Sequence, residues 1–257
     1  MQIITLLSDW GLKDHYVASV KGLIYKMLPK AIVVDISHQI SPFNFDEAGF
    51  VLKNAFPNFP DGTVHIIGVN EIASTHNPHL AIKYHKQYFI GADNGIFPKI
   101  FDEKPETIIE IDRYSDTEYF TFPTRDIFVK CAVHLAQAKP IEELGLKLER
   151  MDSWLIIHPQ NTDNSIHGSV LYVDSFENCV TNISSELYKK VSKSRKPSIS
   201  ISSYEIFEIH KSYSDVGSSD IVAFFGSHGM LEIALFNAKA STLIGMSVGS
   251  QVRIEFE

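Results

Sequence analysis

The chain has 257 residues, 44% of them hydrophobic and 21% charged, with a net charge of −8 at neutral pH. That balance belongs to an ordinary globular protein with room for two domains or one large one, and it argues against disorder. The acidic excess, with no Lys/Arg-rich block to offset it, argues against nucleic acid as a partner. No apolar run approaches the ~18 residues of an ordinary membrane span, so no membrane partner is expected.

Ile3 to Leu7 is a short continuous apolar run, the pattern of a strand buried on both faces. It goes straight from the amino terminus without a signal-peptide pattern, so a cytoplasmic protein is expected. The run ends at Ser8-Asp9, Gly11 allows a sharp turn, and Val17, Val20, Leu23, Ile24 and Leu28 recur at helical spacing. Residues at the carboxyl end of such a strand face a ligand crevice, which places Asp9 and Asp14 where a ligand is read. Ser8 and Asp9 as simple caps of the next helix is an equally good local reading. Ala31–Ile36 reads as a second buried strand, Phe45–Phe56 as a helix closed by Pro57 and Pro60, and Thr63–Val69 as a third strand. Leu80–Tyr84 and Tyr88–Gly91 form a hairpin across His85-Lys86, followed by a tight turn at Ala92–Gly95. Asp126–Ala138 is a helix, and the strand–helix alternation indicates an α/β domain with a largely parallel sheet.

The character changes near residue 154. Gln160–Asn164 has the composition of a linker, and beyond it short alternating runs (Gly168–Val173, Ser198–Ile206, Ile221–Phe225, Gln251–Phe256) read as a barrel-like all-β domain. The division is then 1–153, a linker at 154–164, and 165–257. The basic stretch Lys189 to Lys196 reads as a solvated, Ser-rich loop. Cys131 and Cys179, far apart and among apolar residues, read as core thiols. No metal signature is visible: Pro78 disfavours a helical ligand pair from His76 and His79, which read as exposed loop histidines.

Polar clusters fall where strands end. In the first half these are Ser8/Asp9/Asp14, Asn70–Asn77, Asp93/Asn94 and Thr121–Asp126. In the second half Asp174-Ser-Phe176-Glu-Asn178 offers a ring to stack and an amide to read a base edge, or is a polar turn. Gly226-Ser227-His228-Gly229 is a hairpin turn, or a loop able to bind a carboxylate.

Taken together, several motifs carry a resemblance that runs nearly end to end. They are Ser8-Asp9-x-Gly11-x-x-Asp14-x-Tyr-Val, Val-Val-Asp35-Ile-Ser-His38-x-Ile-Ser-Pro, Gly62-Thr-Val-His and Ala-Asp93-Asn94-Gly95. Further on come Thr121-Phe-x-x-Arg125-Asp126-x-Phe, Tyr-Val-Asp174-x-Phe176-x-Asn178-x-x-Thr-Asn182 and Gly226-Ser227-His228-Gly229-x-Leu-Glu-Ile-Ala. In this order and spacing they resemble the S-adenosylmethionine hydrolases (hydroxide adenosyltransferases), a family that also holds fluorinases and chlorinases. The resemblance implies an α/β domain followed by a β-barrel, in a homotrimer that binds its ligand at subunit interfaces. It also implies S-adenosylmethionine as substrate or ligand, with no cofactor. Asp9 would hold the ribose hydroxyls, Asp14 and Asp174 the methionine ammonium, and Ser227 and His228 its carboxylate. Phe176, Asn178 and Tyr213 would bind adenine, while Phe43 and Thr121 line the ribose and sulfonium.

The sequence departs from the pattern of the resemblance where water is handled. Hydrolase members carry an Asp after the third strand, an Arg beyond it and a His in the later Thr-Phe-His-Gly-Arg-Asp. The matching positions here are Asn70, Asn77 and Pro123. An amide is no base and proline has no side-chain hydrogen bond to give. Glu71 or His76 is available to fill the vacated role, with Thr124 at the position of a fluorinase Ser. Halogenases carry Tyr at the position of Asn70. The resemblance therefore leaves three readings: water-driven cleavage to adenosine and methionine, a binding protein without turnover, or adenosyl transfer to another nucleophile such as halide.

Overall fold

The computed structural model describes residues 2–74, 77–114, 121–151 and 158–257. The chain forms two compact units, residues 1–156 and 157–257.

The first unit is a seven-stranded sheet in the order β2-β1-β3-β5-β4-β6-β7. Its strands are β1 (Ile3–Ser8), β2 (Ile32–Ser37), β3 (Val64–Gly68), β4 (His79–Tyr84), β5 (Gln87–Ala92), β6 (Thr107–Ile111) and β7 (Gly145–Leu148). β2, β1, β3 and β5 are parallel neighbours; β4 runs against β5 and β6 against β4, so five of the seven strands share one direction. Helices α1 (Tyr16–Met27) and α4 (Val129–Ala136) cover one face, where Ile4, Leu6, Val20, Ile24, Ile66 and Ala132 pack together. Helices α2 (Phe45–Ala55) and α3 (Phe97–Ile100) cover the other, where Leu7, Ile67, Leu52 and Phe97 meet. Burial on both faces is why β1 is an uninterrupted apolar run. The hairpin turn between β4 and β5 has both His85 and Lys86 at positive φ (48° and 62°), the twist that a two-residue hairpin requires.

Two expectations fail here. β2 is apolar but not buried: it is the sheet edge, and Ile32 is exposed. Nor do Ser8 and Asp9 cap a helix, because α1 begins at Tyr16 after His15 with no side-chain cap.

The second unit is an antiparallel sheet, β12-β11-β15-β9-β10-β14-β13, with β8 paired to β9. The strands are β8 (Gln160–Asn161), β9 (Ser165–Val173), β10 (Cys179–Ser184), β11 (Pro197–Ile201), β12 (Tyr204–Ile206), β13 (Ile221–Phe225), β14 (Met230–Leu235) and β15 (Gln251–Phe256). Just beyond β12, His210 bridges to Phe224 of β13, which nearly closes the sheet into a barrel. Its interior holds Ile166, Val170, Ile183, Ile199, Ile233 and Ile254, while β15 turns Gln251, Arg253 and Glu255 outward in strict alternation. The basic stretch is not all loop. Lys189 and Lys190 lie on α5 (Ser185–Ser192), whose amino end is capped by the Ser184 side chain accepting from the Leu187 N–H. A short α6 (Ala240–Ile244) follows β14.

Candidate functional site

In the first unit several of the candidate residues gather where the strand order reverses. β1 lies between β2 and β3, and the carboxyl ends of β1 and β3 flank the switch point at which open α/β sheets bind ligands. Asp9 follows β1, and Asn70 and Glu71 follow β3.

The turn after β1 is tied down from the side. The Phe43 N–H donates to Asp9 Oδ2 at 2.9 Å, and Phe43 itself is exposed and at positive φ (62°). Ser8 Oγ and His38 Nδ1 are 2.7 Å apart, and the Gly11 N–H donates to the His38 carbonyl at 2.7 Å. His38 Nε2 lies 3.1 Å from Asp35 Oδ1. Trp10 packs edge-on against Phe122 at 5.2 Å, and a Cβ on Gly68 would overlap the Trp10 ring. Glycine at the end of β3 is thus what lets Trp10 and the Thr124 hydroxyl lie against the strand end.

Glu71 is buried, and its carboxylate accepts from the Thr124 hydroxyl at the start of a π turn, Thr124–Phe128. Burial pushes its carboxyl up to about 7; Asp9 and Asp126 add to the rise, and the Thr124 hydrogen bond opposes it. Asn70 is exposed, at φ 45°, and its carbonyl accepts from the Asn94 amide at 3.0 Å. Arg125 and Asp126 are paired through two contacts of 2.6 and 2.8 Å. His79 is not an exposed loop histidine: it is buried in β4, and its Nε2 donates to the Glu71 carbonyl at 2.8 Å. Desolvation there lowers its pKa, because the strand carries it under the sheet's cover. His76 lies outside the described residues. Asp14 and Thr121 are exposed.

The second unit carries its own polar network. The Asp174 carboxylate accepts from the Phe176 and Asn178 backbone N–H groups at 2.9 and 2.8 Å, and from the Asn178 amide at 3.0 Å. That amide also reaches the Tyr213 hydroxyl at 3.4 Å. The Tyr213 hydroxyl donates to Glu232, and His228 Nε2 sits 3.2 Å from the other Glu232 oxygen. Because His228 Nδ1 accepts the Met230 N–H at 3.1 Å, Nε2 carries the proton and donates to Glu232. Burial, then the Glu232 acceptor, raises the Tyr213 pKa. Phe176 is 77% exposed on the same loop, available to stack, and Ser227 is exposed at the β13–β14 turn.

The structure therefore joins Asp174, Asn178 and Tyr213 directly, and links Tyr213 on to His228 through a residue that the sequence reading assigned no role, Glu232. The signal was present: one carboxylate inside the apolar run Leu231–Leu235. The buried thiols Cys131 and Cys179 are raised to about 12 and about 11, mainly by desolvation, which leaves them unreactive as nucleophiles. Among the described residues no cluster of His, Cys, Asp or Glu is arranged to hold a metal ion, and no helix is long and apolar enough to cross a membrane.

Residues 4–145 match the model of the SAM hydroxide adenosyltransferase N-terminal domain, and residues 168–253 that of its C-terminal domain. The chain belongs to the SAM hydroxide adenosyltransferase family. Within it, an (R)-S-adenosyl-L-methionine hydrolase of Thermus thermophilus is 28% identical, over 99% of this chain and 100% of that protein. One from Methanocaldococcus jannaschii is 27% identical over 99% and 96%. A fluorinase of Actinopolyspora mzabensis is 24% identical over 98% and 96%. The crystal structure of an uncharacterized conserved protein from Thermotoga maritima superimposes with a TM-score of 0.89 at 31% identity, covering 98% of this chain and 99% of that one.

Proposed function

We propose that the protein cleaves S-adenosylmethionine at C5′ with water, giving adenosine and methionine. The observation that carries this is the match of both units to the two domains of the SAM hydroxide adenosyltransferase family, supported by hydrolase relatives that cover nearly the whole chain. The sulfonium is already a good leaving group, so the leaving side of the reaction needs no acid, and the protein must align a nucleophile with C5′ in a pocket closed to bulk water. Asp9 accepts from the ribose diol, since one carboxylate can take both hydroxyls. The Phe43 N–H that it already receives fixes its orientation. Asp14 and Asp174 offer negative charge to the methionine ammonium, while Phe43 and Thr121 line the ribose and sulfonium. Ser227 through its hydroxyl and His228 through its backbone serve the carboxylate, while the His228 ring braces the turn through Glu232 and the Met230 N–H. Asn178 has its NH₂ turned to the Asp174 carboxylate, which can only accept. That leaves the Asn178 oxygen to accept from the adenine amine, while Phe176 and Tyr213 supply the flanking rings.

The fluorinase relatives favour a second reading, in which a halide takes the place of water. Reaction in ¹⁸O-labelled water, with and without added fluoride or chloride, separates the two. Label at the 5′-oxygen of adenosine supports hydrolysis. A 5′-halo-5′-deoxyadenosine formed in preference to adenosine overturns it. The family's trimeric assembly, with ligand at subunit interfaces, is part of the same proposal and is tested by the mass of the protein in solution.

A further inference from the structure

We infer that Glu71, held by the Thr124 hydroxyl at the carboxyl end of β3, is the base that takes the proton from the attacking water. This rests on the hydrolytic reading of the same site.

The position is the first argument. Glu71 stands one residue beyond Asn70, whose left-handed backbone (φ 45°) is pinned by the Asn94 amide. That turn leaves Asn70 exposed and Glu71 buried, so a carboxylate faces inward although the residue next to it is an amide. Nor does the fold of the described residues give this charge a structural partner. Among the described residues no cation pairs with Glu71, and the charges that act on it, Asp9 and Asp126, are negative. Asp126 is itself matched by Arg125, and His79, the titratable group packed from β4, hydrogen-bonds the Glu71 carbonyl rather than its carboxylate. Among the described residues Thr124 is the single side-chain donor to this carboxylate. A carboxylate residue only 7% exposed, with no cation beside it among the described residues and flanked by like charge, is expensive to keep for stability alone. Its titration near 7 suits a base working at neutral pH.

The step balances without a further reagent. A lone pair of the water oxygen forms the C5′–O bond as the C5′–S pair departs to sulfur. The sulfonium becomes the neutral thioether of methionine, and Glu71 receives the water proton and later yields it to solvent.

The test compares wild type, Glu71→Gln and Thr124→Val for S-adenosylmethionine affinity by calorimetry and for adenosine formation across pH. Wild type should lose kcat/KM as pH falls through about 7. Glu71→Gln should bind S-adenosylmethionine within about threefold of wild type, lose about 10²-fold or more in kcat, and lose the inflection. Thr124→Val should keep the inflection and move it upward, because the lost hydrogen bond favours the ionised form. Glu71→Gln turnover within about threefold of wild type, or an inflection that persists without Glu71, overturns the assignment while leaving hydrolysis standing. Absence of adenosine from wild type overturns hydrolysis and the base together.

Discussion

Replacing Glu71 by Gln should stabilise the first unit, and only where Glu71 would be charged. Folding moves this carboxyl from its usual 4.5 to about 7, mainly by desolvation. The unfolded chain releases the proton near 4.5 and the folded chain keeps it until about 7. Across that window the folded state binds more protons, so stability falls as pH rises. A shift of this size corresponds to about 3 kcal/mol once both states are ionised, at about 1.4 kcal/mol per pH unit. Glutamine has nearly the same shape, can accept from Thr124, and never ionises. In urea titrations followed by circular dichroism, the advantage of the variant should be a few tenths of a kcal/mol at about pH 4.5. It should grow to about 3 kcal/mol at about pH 8, a midpoint shift of roughly 1.5 M for an m-value of about 2 kcal/mol/M. An advantage equal at both pH values would reduce the effect to packing, and a loss of stability at about pH 8 would refute the reasoning outright. The expected pattern is a site that trades stability for a poised carboxylate.

Two further outcomes follow from the polar networks. Glu232→Ala removes the acceptor of both the Tyr213 hydroxyl and the His228 Nε2–H, and should destabilise the second unit by about 1–3 kcal/mol in a urea titration; Glu232→Gln should cost less. His38→Ala removes the partner of Ser8 and loosens the turn that presents Asp9. It should weaken S-adenosylmethionine binding about tenfold by calorimetry, with a smaller change in kcat, and equal affinity would show that His38 does not position Asp9.

How much was legible in the sequence differs from residue to residue. The continuous apolar run of β1 encoded a strand covered on both faces, and the polar residues at its end lie at the carboxyl edge of the sheet where the candidate site is built. β2 carries a similar run, yet it is an edge. Edge or centre is decided by which strands pair, and that is a property of the whole sheet rather than of the segment. The helical character of Lys189 and Lys190 was masked by the serines around them. It emerges from the Ser184 cap and from the apolar face of Leu187, Tyr188 and Val191, which packs on the barrel interior. In the candidate site the ends of strands drew attention to Asp174, Asn178 and His228, but the link from the first two to His228 runs through Tyr213 and Glu232. A buried carboxylate within a strand reads from sequence as an ordinary alternation error. Glu71 stood out only by elimination, and its burial, its hydroxyl donor and its acidic neighbours are three-dimensional facts.

The central claim is turnover of S-adenosylmethionine by water, and its most direct test is adenosine formation by purified protein in halide-free buffer, followed by chromatography. Heat-killed protein and Asp9→Ala serve as controls, with calorimetric titration of the same ligand alongside. Adenosine and methionine in equal amounts from wild type, with neither product nor binding from Asp9→Ala, is the predicted result. Tight binding by wild type with no adenosine would contradict the claim and make the protein a holder of the ligand rather than a hydrolase.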